Sequence, residues 1–170
     1  MAHGTEPAAL PLPSGSRLVH IGPHKTGTTA LQSAFHAARG DLLAQGVRYA
    51  GRGRHPMSAV LAVSGRPSVT DAEPPPIKLW TSLLGEVRGA TEPRVVLSSE
   101  FFADAPPEAI SRIVADLDRA RVHVVVTLRP LARILASQWQ QHVQGGMQQP
   151  FDAWLASTFA AHDRGTATLL

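Results

Sequence analysis

Apolar residues fall into short β-branched runs separated by stretches with helical spacing. The runs are 17–21 (RLVHI), 47–50 (VRYA), 94–98 (RVVLS) and 122–128 (VHVVVTL), each too short for a helix and bounded by turn or polar residues, as strands are. Between them, 26–39, 77–89, 107–120 and 131–144 read as amphipathic helices, and 151–165 (FDAWLASTFAAHDRG) reads as one more. In 26–39 the apolar face is expected to carry Leu31, Phe35 and Ala38. This βαβα order predicts an α/β fold. RVVLS and VHVVVTL are almost continuously apolar, as strands buried on both sides are, so the expectation is a parallel sheet with helices on both faces. The segment 64–76 (SGRPSVTDAEPPP) ends in three prolines that neither a helix nor an inner strand accepts, which makes it a surface loop. Residues 1–16 are rich in Pro, Ala and Gly and read as a disordered leader, with folding expected to begin at Arg17 and a single domain over 17–170.

With 170 residues, 44% of them hydrophobic, the chain is long enough for one core and too short for two. Its sixteen Lys+Arg and thirteen Asp+Glu are unevenly spread. Residues 1–85 hold eight basic and four acidic side chains and residues 86–170 eight and nine, so an anion site is expected to involve the first half. A DNA-coating protein would be more lopsided, and no nucleic-acid partner is expected. No apolar run approaches the roughly 18–20 residues that span a bilayer, and the first sixteen residues lack a charged and then apolar export signal. A cytoplasmic protein without a membrane span is the expectation. The absence of cysteine excludes disulfides, thiolate zinc sites and a cysteine nucleophile. No His, Asp or Glu group has metal-ligand spacing, so no metal is expected. Only two of the sixteen cations are lysines, Lys25 and Lys78, which draws attention to both.

Residues 18–35 (LVHIGPHKTGTTALQSAF) run from an apolar strand through a turn holding Gly22, Pro23 and Gly27 into a helix. A strand turning tightly into a helix makes an anion site, because the first amides of the helix point outward unsatisfied, the helix dipole places positive charge there, and glycine lets the backbone close around phosphate oxygens. Lys25 and the hydroxyls of Thr26, Thr28 and Thr29 add donors at the same place. The plainer alternative is an ordinary strand-to-helix turn with Thr26 or Thr28 as N-cap. The ATPase pattern GxxxxGK[ST] puts lysine after the second glycine, whereas Lys25 precedes Gly27, and no aspartate ends the 94–98 strand to hold magnesium.

The stretch 23–29 (PHKTGTT) resembles the 5′-phosphosulfate loop of sulfotransferases that use 3′-phosphoadenosine 5′-phosphosulfate as donor, whose fold is P-loop nucleotide-hydrolase-like. In that family an arginine just past a later strand and a serine eight residues on bind the donor's 3′-phosphate; Arg129 and Ser137 stand at that spacing. The resemblance spans residues 17–145 and implies a donor site made of Lys25, Thr26, Gly27, Thr28, Thr29, Arg129 and Ser137. It also implies a base for the acceptor proton. Glu100, just past the 94–98 strand, is the first candidate and His24, beside Lys25, its rival; His55, in 51–57 (GRGRHPM), is a weaker one. Lys25 suits the oxygen that bridges sulfur to the leaving phosphate. Phe101 and Phe102 line an acceptor pocket or pack in the core. Trp80, Trp139, Trp154, His20 and His123 are read as packing residues. Acceptors with a hydroxyl, whether small molecule, lipid or carbohydrate, are the implied partners. Members of the family are usually longer, with a segment that closes over the adenine, so the domain is expected to be short at its C-terminus. Two other functions stay open: a nucleotide-binding module without turnover, and a kinase-like phosphoryl transferase using ATP and magnesium.

Overall fold

A computed structural model describes residues 12–163. Four strands, β1 (Ser16–Ile21), β2 (Val47–Tyr49), β3 (Arg94–Ser98) and β4 (Val122–Val126), form one all-parallel sheet in the order β2-β3-β1-β4. The helices between and beyond them are α1 (Thr28–Ala37), α2 (Arg39–Ala44), α3 (Met57–Ser64), α4 (Lys78–Gly89), α5 (Pro107–Asp116), α6 (Leu131–Gln144) and α7 (Phe151–Asp163). The fold is α/β, as the sequence predicts. Right-handed crossovers with this strand order put α1 and α2 on one face and α3, α4 and α5 on the other. The main apolar cluster lies on the second face. It joins Val19, Val95 and Leu97 of the sheet to Val60 and Val63 of α3, Trp80, Leu83 and Val87 of α4, and Ile113 of α5. Trp80 is fully buried, and its indole N–H donates to Asp116 at 2.8 Å.

Besides α2, for which the sequence reading has no element, four features depart from the expected pattern. Helix α3 is absent from the sequence reading because MSAVLAVS is apolar on every side. All but its first two residues are buried, and nothing in its spacing marks one face. In α1, Leu31 is 37% exposed while Gln32 is fully buried, so the expected apolar face is rotated, and a polar residue is held inside by a hydrogen bond described below. Strand β4 is an edge strand. Val124, Val125 and Val126 are 56%, 46% and 47% exposed, which corrects the expectation that VHVVVTL is covered on both sides like RVVLS. An apolar run alone does not say whether neighbours exist on both sides. Finally, Ser16 already belongs to β1, Gly15 N–H donates to Pro93 O, and Arg94 Nε donates to Leu12 O, so residues 12–16 are tied to the sheet edge before β3. The remainder of the predicted leader, 1–11, lies outside the described residues. The proline-rich segment between α3 and α4 is a surface loop, with Val69 fully exposed.

Candidate functional site

All four strands point their carboxyl ends to one side, where ligands of open parallel sheets bind. The central strand β1 locks its neighbours beyond their ends. The carbonyl of His20 accepts from Ser99 N–H at 3.1 Å, and that of Ile21 from Thr127 N–H at 2.9 Å. The turn after β1 therefore lies between the turn that carries Glu100 and the turn that carries Arg129. Inside the sheet the same three strands are pinned by the imidazole of His20, buried between the hydroxyls of Ser98 and Thr127 at 2.6 Å each. Burial pushes this imidazole below its ordinary pKa, against the field of Glu100, so His20 is a neutral structural residue, as predicted.

The loop 22–27 is built around close backbone approach. A Cβ on Gly22 would lie 2.8 Å from Thr127 O, 2.8 Å from Thr26 Oγ1 and 2.9 Å from Thr28 Cγ2, so only glycine fits there. Lys25 has φ 71° and Gly27 φ 100°, two left-handed residues that reverse the chain and aim it into α1. Gly27, not Thr26 or Thr28, is the N-cap, and no side chain caps the first turn. Thr26 is buried, its hydroxyl donating to Pro23 O at 2.7 Å to close the loop; Thr28 is buried as well, and Thr29 is exposed. Arg129 reaches this loop from the β4 side, its Nη1 donating to Lys25 O at 3.3 Å. Ser137 stands half-buried on α6, and it lines neither of the clefts described next.

On the β3 side, Ser99 caps a short 3-10 turn, Glu100–Phe102, whose first residue is the candidate base. The carboxylate of Glu100 accepts from Gln32 Nε2 at 2.7 Å, which explains why Gln32 faces inward on α1. His55 Nδ1 lies 4.0 Å from the same carboxylate, both side chains being 14% exposed. Burial pushes the carboxyl of Glu100 up, but the Gln32 hydrogen bond, its own backbone amide and the fields of His55 and His24 outweigh this. The net displacement is below the usual carboxylate value. Burial, with Arg54 acting in the same sense, lowers the pKa of His55 against the pull of Glu100. Two buried atoms in this cluster, Gln32 Oε1 and His55 Nδ1, have no hydrogen-bond partner. Phe101 joins the cluster to the loop, meeting His24 edge-on at 5.4 Å and stacking on His55 at 6.1 Å between ring centroids, while Phe102 packs in the core. His24 Nε2 is engaged with Asp104 Oδ2 at 3.0 Å, and Arg66 Nη1 reaches the same oxygen at 3.2 Å.

Two clefts open from this edge. One, of about 610 Å³, runs from His24 and Lys25 to Gln138, Gln141 and His142 of α6 and Trp154 of α7. The larger, of about 1130 Å³, lies on the β2 side between residues 51–59 and α4, with His55 in its lining. The sequence signals brought Lys25, Glu100, His24 and Arg129 to one edge. They left His55 as a weak candidate because GRGRHPM reads equally well as plain surface. They missed Gln32, which looks like an ordinary polar helix residue, and Asp104 and Arg66, which only the folded chain brings together. Among the described residues no group of three or more His, Asp or Glu is arranged to hold a metal ion, and no helix is long and apolar enough to cross a membrane.

Set against known proteins, the chain matches no family model, no curated protein and no solved structure.

Proposed function

We propose that the chain is a sulfotransferase domain that moves a sulfo group from 3′-phosphoadenosine 5′-phosphosulfate to a hydroxyl acceptor. The observation that carries this reading is the meeting, at one carboxyl edge, of a glycine-tight loop that carries Lys25 and leads into an uncapped helix start, Arg129 reaching that loop from the β4 side, and a charged, largely buried carboxylate. The loop suits the donor's 5′-phosphosulfate: Lys25 stands there with the unclaimed amides of the first turn of α1. Arg129 suits the 3′-phosphate, with Ser137 as the residue that the family resemblance adds. The acceptor oxygen bonds to sulfur as the bond from sulfur to the phosphate oxygen breaks; the acceptor proton passes to Glu100, and adenosine 3′,5′-bisphosphate leaves with the bonding electrons. Lys25 offsets the charge that grows on that leaving oxygen. Glu100 is favoured over His24 as base because its carboxylate is held ionised, whereas His24 Nε2 is engaged with Asp104.

The test is thermal unfolding with adenosine 3′,5′-bisphosphate, ADP, or ATP with magnesium, on wild type, Lys25→Ala and Arg129→Ala. At a hundredfold excess over Kd, a ligand adds about 2.7 kcal/mol, a rise in Tm of roughly 5–11 °C for a chain of this size. The bisphosphate is expected to give that rise in wild type and neither variant. A rise with ATP and magnesium alone would point to a phosphoryl transferase instead. Sulfate transfer to a panel of hydroxyl acceptors then separates an enzyme from a module that only binds nucleotide.

A further inference from the structure

The larger cleft is walled by apolar and cationic side chains in a particular arrangement. Leu43 and Leu79, 39% and 42% exposed, line it together with Met57. Four arginines line it too, against one carboxylate, Glu86. Two of the four are occupied. Arg48 forms a two-pronged pair with Glu92 at 2.7 and 2.8 Å, and Arg39 lies over the Tyr49 ring and donates to the carbonyls of Arg52 and Gly53. The charge of Glu86 is partly met by the Gly51 N–H at 3.0 Å.

Arg52 and Arg54 are different. The loop that carries them is pinned entirely through its backbone: by Arg39 on the carbonyls of residues 52 and 53, by the Tyr49 hydroxyl on the carbonyl of Arg54, and by Glu86 on the amide of Gly51. Their guanidinium groups are exposed, and among the described residues neither has an ion pair or a side-chain hydrogen bond. A rigid loop that holds two unpaired guanidiniums beside an apolar wall is pre-organised for an anion attached to an apolar body, since the loop ordering is complete before any ligand arrives. The next residue, His55, closes the cleft toward Glu100, and its buried Nδ1 lacks a partner. We infer that this cleft takes a ligand with an apolar body and an anionic group, the anion held by Arg52 and Arg54. Resting on the transferase reading above, that ligand is the acceptor, and its hydroxyl enters past His55 to Glu100.

The probe is 6-hydroxy-2-naphthoate, a fluorescent hydroxyl compound with one carboxylate, compared with 6-hydroxy-2-naphthamide, which has the same shape without the charge. Fluorescence titration is expected to show the naphthoate binding tenfold or more tightly than the amide, with the preference shrinking as salt rises. The Arg52→Ala/Arg54→Ala protein is expected to lose the preference and keep its circular dichroism spectrum, because backbone contacts hold the loop. Arg119→Ala, which removes an exposed cation from the 3-10 turn before β4, leaves the preference intact. Equal binding of acid and amide, no binding of the naphthoate at millimolar concentration, or a preference that survives the double substitution overturns the inference. Adenosine 3′,5′-bisphosphate binding is measured on the same samples. If it is absent while the arginine-dependent preference holds, the anion cleft stands and the transferase reading falls; if it is present without the preference, the cleft assignment falls alone.

Discussion

Replacing Gly22 by alanine isolates the close backbone approach on which the proposed anion cradle after β1 depends. The added Cβ would stand 2.8 Å from the Thr127 carbonyl oxygen and from Thr26 Oγ1, where ordinary contacts begin at 3.4 Å. Each neighbour would have to retreat by about 0.6 Å, and neither is a free side-chain end. Thr127 is held to Ile21 through its amide, and Thr26 to Pro23 through its hydroxyl. Overpacking of this kind costs about 1–3 kcal/mol. At roughly 2–4 °C per kcal/mol for a chain of this length, Tm falls by about 2–12 °C. Gly40→Ala is the matched control. Gly40 lies in α2 with nothing within 4 Å of its Cβ position and no positive φ, so alanine there stabilises by about 0.4–1 kcal/mol and raises Tm. Differential scanning calorimetry on the three proteins, with and without adenosine 3′,5′-bisphosphate, gives both the stability change and the change in ligand-induced shift. A Gly22→Ala protein with wild-type Tm and an undiminished ligand shift would refute the reasoning.

Further outcomes are expected, the first two from the proposed transferase reading and the others from the fold itself. Glu100→Gln lowers sulfate transfer by about 10²–10⁴-fold while leaving bisphosphate affinity within a few-fold, as measured by single-turnover kinetics and calorimetry. Arg129→Ala weakens bisphosphate binding by about 1.5–3 kcal/mol in isothermal titration, with less effect on ADP, which lacks the 3′-phosphate. His20 and His55 both have pKa values below the ordinary imidazole value in the folded chain, so below about pH 6.5 the unfolded chain binds more protons. Stability is therefore full above that pH and is lost as pH falls, by up to about 1.4 kcal/mol per pH unit for each histidine; His20→Gln flattens the slope of Tm between pH 7.5 and 5.5. Trp80→Ala leaves a large hole beneath α4 and removes the indole hydrogen bond to Asp116, costing about 3–5 kcal/mol by urea unfolding.

The strands and most helices were legible because their burial follows from local spacing. RVVLS and RLVHI sit in the middle of the sheet, where period and composition agree with environment. The loop was legible for the same kind of reason, since glycines and a lysine between a strand and a helix restrict the backbone whatever surrounds it. Other features depend on partners far away in the chain. Gln32 turns inward only because Glu100, 68 residues on, accepts its amide. His55 becomes part of the carboxylate cluster only because β2 and β3 are neighbours. Strand β4 is as apolar as β3, and only the strand order says that nothing pairs with its outer edge among the described residues. Helix α3, apolar all round, carries no periodic signal by which to find it.

The crowding at Gly22 fixes a length. With the turn after β1 pressed against Thr127 O and Arg129 bonded back to Lys25 O, no slack separates the loop from the arginine turn. Their spacing is set by the register of β1 and β4. A fold built this way works as a gauge. On the proposed transferase reading, such a gauge would favour donors whose two anionic ends match that distance.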